Sequence, residues 1–140
     1  MRITHGLAAV QQGIRERSLA LLGPAAEADA LAMHGVMLTS QPSLLYWEPG
    51  TLAVLKAVQG WRREGLEVYF TMDAGPNVHC LCPAAQAGKV EEQLRALSVT
   101  EVIVSGPGQG VRLGRIDHGR DARLLLQDQL RVASRARGCV

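Results

Sequence analysis

The sequence has no long apolar run, although 47% of its 140 residues are hydrophobic. A transmembrane helix needs about 20 consecutive apolar residues, so we expect no contact with a membrane. Residues 1–22 are interrupted by Arg15, Glu16 and Arg17 and lack the apolar centre of a signal peptide. Cysteine is also scarce. The odd count of three, without a signal peptide, argues against a disulfide framework and predicts a reducing, cytoplasmic compartment.

A zinc site is not expected either. On a strand, Cys80 and Cys82 would share one face, about 7 Å apart, with His79 on the other face. Zinc needs four converging ligands, and the sequence offers no second ligand pair at a workable spacing. We therefore interpret both cysteines as small apolar residues packed beneath a sheet, and we predict no metal ligands.

Lysine is almost missing, because Lys56 and Lys89 are the only two among 15 basic residues. The net charge of +2 is unevenly spread: residues 1–110 carry 8 basic and 10 acidic groups, whereas residues 111–140 carry 7 and 3. This basic end has no interleaved aromatic residues, and aromatic residues make up only 4% of the chain. We therefore expect no nucleic-acid partner.

The first half of the sequence has helical periodicity. A first helix is predicted to end at Gly23, and Pro24 predicts the first turn of a second helix that reaches about Leu38. Pro49 predicts the start of a third helix, with Gly65 as its C-cap. The expected buried stripes are Leu7, Val10, Ile14 and Leu21 on the first helix, Ala28, Leu31, Gly35 and Leu38 on the second, and Leu52, Leu55, Val58 and Trp61 on the third.

The second half changes to period two. Residues 66–72 predict a half-buried strand and residues 78–82 the returning strand, joined by turn-forming residues 73–77. Residues 84–97 predict a helix, and residues 101–105 predict a third strand. The helix would bury Val90, Leu94 and Leu97.

Residues 106–110 form a glycine-rich loop. A common phosphate-binding loop needs Lys and Ser or Thr at the start of a helix. Here Val111 and Arg112 follow instead, so we interpret the loop as a tight turn leading into a fourth strand over residues 111–116.

Residues 1–116 are expected to form one domain, and residues 117–140 a divergent basic tail. Within the tail, Leu124, Leu125, Leu126 and Leu130 are compatible with a helix. Helices followed by a β-β-α-β-β order predict an α+β fold, in which helices cover one face of an antiparallel sheet of about four strands.

Asp73 is the residue in the chain that is best placed to take part in a reaction. It follows a predicted strand and precedes a turn, so the strand would hold its backbone while the carboxylate projects into the turn. Gly75 would permit the close approach of a ligand or another backbone. The competing interpretation is an Asx-turn, in which the carboxylate only accepts hydrogen bonds from nearby N–H groups. Local pattern alone favours the Asx-turn.

Other candidate side chains are isolated in the sequence. His5, His34 and His118 have no acid or nucleophile beside them, so we expect surface or capping residues. We interpret Trp47 and Trp61 as core or interface anchors.

Three stretches resemble a known family. Residues 68–78, with Asp73-Ala74-Gly75-Pro76-Asn77 at their centre, closely resemble the late motif of diphosphomevalonate decarboxylases. These enzymes belong to the superfamily of galactokinase, homoserine kinase, mevalonate kinase and phosphomevalonate kinase. Residues 27–55, with Ala32-Met33-His34 and Leu44-Leu45-Tyr46-Trp47, and residues 101–110 also resemble the family's C-terminal domain. The resemblance covers roughly residues 7–113 and implies a ferredoxin-like C-terminal domain.

The resemblance implies an ATP-dependent reaction that uses Mg²⁺. The tertiary 3-hydroxyl of mevalonate 5-diphosphate is phosphorylated, and loss of that phosphate and of carbon dioxide gives isopentenyl diphosphate for isoprenoid biosynthesis. Asp73 matches the family's catalytic aspartate. It would orient or deprotonate the 3-hydroxyl and stabilise positive charge developing at carbon 3.

The resemblance also implies a separate N-terminal domain, in which the family's phosphate-binding loop and substrate-holding basic residues lie. Nothing in this chain matches those residues, so its contacts with ATP, Mg²⁺ and the substrate phosphates are unknown. We expect a chain that is inactive alone and pairs with an N-terminal domain or a second copy. The alternatives are a mevalonate 5-phosphate decarboxylase, a related small-molecule kinase, or a non-catalytic module that binds a partner.

Overall fold

The computed structural model describes residues 3–97, 99–108 and 133–135. No helix in this part of the chain is both long enough and apolar enough to cross a membrane. Its helices are α1 (Ile3–Glu16), α2 (Leu19–Leu38), α3 (Pro49–Arg63) and α4 (Ala87–Arg95), the last preceded by a 3₁₀ turn over Ala84–Gln86. Its strands are β1 (Tyr69–Met72), β2 (Val78–Leu81), β3 (Glu101–Val102) and β4 (Ala133–Arg135).

The strands form one antiparallel sheet in the order β1-β2-β4-β3. The β1–β2 hairpin pairs Tyr69 with Leu81 and Met72 with Val78, so residues 73–77 form its connecting turn. This architecture confirms the predicted α+β fold. The strand predicted at residues 111–116 lies outside the described residues. The described β4 instead comes from the stretch predicted to be a tail, and the domain boundary at residue 116 stays a prediction.

Helices α3 and α4 supply the apolar cover of the sheet. The side chains of Val54 and Val58 on α3 and Leu94 on α4 are completely buried, and they pack with Phe70 and Val78 of the hairpin. The predicted stripe of α4 is confirmed, with Leu97 partly buried against the core. The α3 prediction is wrong at Leu52, which is 41% exposed.

Gly65 lies directly after Glu64, which is the C-cap of α3, so the C-cap lies one residue before the predicted position. The φ of Gly65, +93°, lies in the left-handed region, which glycine enters without a steric penalty. The N–H of Gly65 donates to the carbonyl of Arg62, and the N–H of Leu66 donates to that of Trp61, at 3.1 and 3.0 Å. These two bonds form a Schellman motif, which satisfies the last carbonyls of the helix.

The predicted break at Gly23 and Pro24 is wrong. Helix α1 ends at Glu16, Arg17 takes a left-handed φ of 51°, and α2 then runs through Gly23 and Pro24. Gly23 is required by packing, since a Cβ there would lie 2.1 Å from the Cγ of Tyr69. A glycine selected for close helix–strand contact looks, in sequence, like a helix terminator.

The predicted buried stripes of the first two helices are also wrong. On α1, Leu7 and Ile14 are 59% and 62% exposed. On α2, Leu31 and Leu38 face solvent, and the side chains that face β1 are instead small or polar. We call these two sides the outer face of α2 (Ala28, Leu31, Gly35 and Leu38) and the inner face of α2 (Gly23, Glu27, Ala30 and His34).

The inner face of α2 lies along the free edge of β1. The Glu27 carboxylate accepts a hydrogen bond from the Phe70 N–H at 3.2 Å and pairs with Arg62, whose two nitrogens lie 2.6 and 3.1 Å away. Arg62 also donates to the Val68 carbonyl at 3.2 Å, and its guanidinium lies over the Tyr69 ring. The bond to Glu27 raises the pKa of Arg62. The ion pair thus satisfies a donor and an acceptor that an edge strand leaves unpaired.

Candidate active site

The candidate site is the turn between β1 and β2. Asp73 follows Met72, which is 3% exposed and anchored in the core. The Asp73 side chain, in contrast, is 92% exposed. The carboxylate therefore projects into solvent from a backbone that the sheet holds.

Side chains from two helices donate hydrogen bonds to backbone carbonyls of the turn. The Asp73 carbonyl accepts from the Gly75 N–H at 2.8 Å and from Nε2 of His34, on α2, at 3.0 Å. The Pro76 carbonyl accepts from the Thr51 hydroxyl, on α3, at 2.7 Å. The Asp73 bond to Gly75 uses the carbonyl rather than the carboxylate. The Asx-turn interpretation therefore finds no supporting hydrogen bond among the described residues.

His34 is the main residue that sequence reasoning missed, because it is 1% exposed rather than a surface or capping residue. Its ring packs edge-on against Tyr46 and is tilted against Trp47, with centroid separations of 6.3 and 5.7 Å. The available signal was the resemblance itself. The two quoted stretches around His34 and Tyr46-Trp47 meet in space behind Asp73.

His79 is the ionisable side chain that approaches the Asp73 carboxylate, at 3.8 Å from Nε2 to Oδ2. That distance is too long for a hydrogen bond, so a protonated His79 would act on Asp73 through its charge. Both groups remain in contact with water, since the His79 side chain is 23% exposed. Water therefore weakens this interaction.

Cys80 and Cys82 behave as small core residues. Cys80 is buried in the core and Cys82 packs against it. Burial raises the pKa of the Cys80 thiol to about 12, with smaller contributions from Cys82 and Glu27, and burial also raises the pKa of Cys82. Thiols that stay protonated are poor nucleophiles and poor metal ligands. In the described ranges, no three His, Cys, Asp or Glu side chains converge in a way that could hold a metal ion.

A separate open cavity lies at the opposite end of the hairpin, where β1 begins and β2 ends. Its lining is largely apolar and includes Ile14, Leu19, Leu22, Cys82 and Pro83, with Arg17 and Glu67 also present. It is remote in the hairpin from Asp73, so it does not enlarge the candidate site.

Residues 2–110 match the family of the mevalonate 5-diphosphate decarboxylase C-terminal domain. The chain belongs to this family. The match spans the candidate site and confirms the family resemblance read from residues 27–55, 68–78 and 101–110. It also accounts for the α+β fold, since solved members of the family have the same arrangement.

Three relatives show how far the decarboxylase similarity extends. The phosphomevalonate decarboxylase of Haloferax volcanii is 32% identical over 87 residues, which are 60% of this chain and 27% of that protein. The mevalonate diphosphate decarboxylase of Enterococcus faecalis superposes with a TM-score of 0.63 at 35% identity, over 66% of this chain and 29% of that one. The mevalonate diphosphate decarboxylase of Staphylococcus aureus superposes with a TM-score of 0.64 at 32% identity, over 67% of this chain and 28% of that one. The chain thus spans less than a third of these relatives.

Proposed function

We propose that this chain supplies the C-terminal domain of an ATP-dependent decarboxylase that acts on mevalonate 5-diphosphate, with Asp73 as its catalytic carboxylate. The observation that carries the proposal is the Asp73 turn. Its backbone is fixed by the sheet, α2 and α3, while its carboxylate is free to meet a substrate. Membership of the decarboxylase family supplies the reaction class.

The chemistry suits a positioned carboxylate. The 3-hydroxyl oxygen attacks the γ-phosphorus of ATP, ADP leaves, and Asp73 accepts a hydrogen bond from the hydroxyl or takes its proton. The C3–O bond then breaks with loss of phosphate. The C1–C2 bond breaks with loss of carbon dioxide, and its electron pair forms the new double bond. A proton taken by Asp73 passes to water, since its carboxyl group is 92% exposed, and the restored negative charge of Asp73 stabilises positive charge at carbon 3 between these events.

ATP and Mg²⁺ are proposed as the partners of the first step. A solved relative is in complex with MVAPP, AMPPCP and magnesium. The described part of this chain brings together no set of residues that fits a magnesium ion, so we derive no step through the metal. Phosphoryl transfer depends mainly on positioning and charge neutralisation. We propose that a separate N-terminal domain supplies both.

The outer face of α2 supports pairing with another protein body. Leu31 and Leu38 face solvent. Exposed apolar residues that lie together on one side of a helix commonly mark an interaction surface. The proposed occupant is the N-terminal domain, and a homodimer is the alternative. The free thiols of Cys80 and Cys82 suit a reducing, cytoplasmic compartment.

A second candidate substrate is mevalonate 5-phosphate. The Haloferax volcanii relative is a phosphomevalonate decarboxylase, and its identity to this chain is as high as that of the Staphylococcus aureus diphosphate enzyme. A C-terminal domain that contacts carbon 3 through Asp73 would serve either substrate. The two substrates therefore have to be assayed side by side.

The test is complementation of activity. The purified chain is assayed for ATP-dependent carbon dioxide release from each substrate, alone and mixed with the N-terminal part of a family member. We expect no turnover alone and turnover in the mixture. Asp73→Asn should lower kcat by about 10²–10⁴-fold, whereas the matched control Glu92→Gln, an exposed carboxyl on α4, should have no effect.

Three results would contradict the proposal. Turnover by the chain alone would show that the N-terminal part is dispensable, and full activity in Asp73→Asn would remove Asp73 from the mechanism. Formation of a stable mixture without any turnover would favour the third alternative, a non-catalytic module. Asp73→Asn should keep its stability within about 0.5 kcal/mol, because the side chain is 92% exposed.

A further inference from the structure

We propose that His34 is a positioning residue, which fixes the direction of the Asp73 side chain by holding the Asp73 main-chain carbonyl. The inference rests on the proposed function, because it matters for catalysis only if Asp73 is the catalytic carboxylate. Its structural part, a rigid peptide plane that depends on His34, can be tested without any activity.

The hydrogen bond between His34 and Asp73 shows that Nε2 of the imidazole carries a proton. Nε2 of His34 lies 3.0 Å from the Asp73 carbonyl oxygen. A carbonyl can only accept, so the proton of this bond is carried by Nε2. The ring is 1% exposed and is held between Tyr46 and Trp47. It therefore has no room to turn away and acts as a fixed donor.

Asp73 needs such a donor because little else orients its side chain. In the described residues, its carboxylate makes no hydrogen bond, and the nearest ionisable group, His79, is 3.8 Å away. The direction of its Cα–Cβ bond is therefore set by the backbone alone. The peptide plane that joins Asp73 to Ala74 is held by two bonds to one carbonyl, from Gly75 and from His34. Without His34, only the local bond to Gly75 remains.

Two substitutions distinguish the effect of the hydrogen-bond donor of His34 from the effect of the volume of its ring. His34→Gln places an N–H donor at similar reach, whereas His34→Leu fills the space without a donor. Thr51→Val is the control, because it removes the hydrogen bond to Pro76 in the same turn, together with the bond that the hydroxyl accepts from the Glu48 N–H, and leaves the Asp73 carbonyl untouched. Thermal unfolding shows whether each variant is folded before it is compared.

The first measurement is backbone dynamics in the chain itself. The Ala74 N–H belongs to the same peptide plane as the Asp73 carbonyl, so its NMR order parameter reports directly on that plane. We expect about 0.85, the value of a rigid backbone, in the parent chain, His34→Gln and Thr51→Val. In His34→Leu it should fall below about 0.6. An unchanged order parameter in folded His34→Leu, or an equal fall in Thr51→Val, would overturn the inference.

The second measurement is kinetic, in the mixture with an N-terminal part. His34→Leu should lower kcat by about 10- to 100-fold, as expected for a displaced catalytic group. The KM for the mevalonate substrate should stay within about twofold, and His34→Gln should restore most of kcat. A raised KM with unchanged kcat would overturn the catalytic role. If the parent mixture itself is inactive, the proposed function fails, while the order parameters still decide the structural part.

Discussion

Helices α2 and α3 both pack against β1, and they do so in opposite ways. Most buried residues of α3 are apolar, including the completely buried Val54 and Val58, and Thr51 is the polar exception. The inner face of α2 carries Glu27 and His34, while Leu31 and Leu38 lie on the exposed outer face of the helix. Periodicity therefore identifies the apolar face of a helix without showing whether that face meets the domain's own core.

The difference follows from what each helix touches. Helix α3 lies over side chains of the sheet, which are apolar and favour apolar partners. Helix α2 lies along the edge of β1, where backbone N–H and carbonyl groups need hydrogen-bonding partners. Glu27 bonds to the Phe70 N–H and His34 bonds to the Asp73 carbonyl, two groups that lie three residues apart in the chain at this edge. A helix that covers a strand edge thus carries its polar residues on the inside.

The largest expected effect is a difference in stability between substitutions on the buried apolar side of α3 and on the outer face of α2. Val58→Asp places an unpaired carboxylate in the core and should destabilise the fold by at least about 4 kcal/mol. Leu31→Asp, on the outer face of α2, should change stability by only about 0.5 kcal/mol and should reduce self-association. Urea unfolding and sedimentation velocity measure the two quantities. Equal destabilisation by both changes would mean that the outer face is internal to this domain.

A smaller effect separates two glycines. Gly23→Ala, on α2, forces a Cβ into the Tyr69 ring and should cost about 3 kcal/mol. Gly60→Ala, on α3, meets nothing within 4 Å and should stabilise the helix by about 0.5–1 kcal/mol. Thermal unfolding of both variants gives the comparison. A neutral Gly23→Ala would contradict the close contact between α2 and β1.

The smallest expected effect is the loss of stability when either of two ion pairs is removed. Glu27→Ala leaves the Phe70 N–H without its acceptor and Arg62 without its partner, at an expected cost of about 2 kcal/mol. Glu91→Ala removes an exposed pair with Arg95 one turn along α4 and should cost about 0.3–0.5 kcal/mol. Denaturant unfolding distinguishes these values. If both substitutions lowered the free energy of unfolding by a similar small amount, the Glu27 pair would contribute no more than an ordinary surface ion pair.

Local signals predicted much of the second half of the fold. Alternation and a dense turn located the β1–β2 hairpin, helical spacing located the buried residues Val90 and Leu94, and Gly65 marked the end of α3. These features depend on neighbours in sequence. The site was predicted only as far as Asp73, whose position at a strand end is also local.

The rest depended on contacts distant in sequence. Gly23 was interpreted as a helix end because nothing local shows that Tyr69 packs on it. His34 was expected at the surface because its partner is a backbone carbonyl 39 residues away, which no side-chain pattern reveals. The pairing of β4 between β2 and β3 likewise joins segments that are far apart in the chain.

The ion pair between Glu27 and Arg62 has a consequence for assembly. An uncovered strand edge is a template on which another chain can add its own strand, the first step of domain swapping and of fibre growth. Here the two charged groups already occupy the Phe70 N–H and the Val68 carbonyl, so an incoming strand would have to displace a charge-assisted pair. The pair thus protects the β1 edge against intermolecular sheet extension.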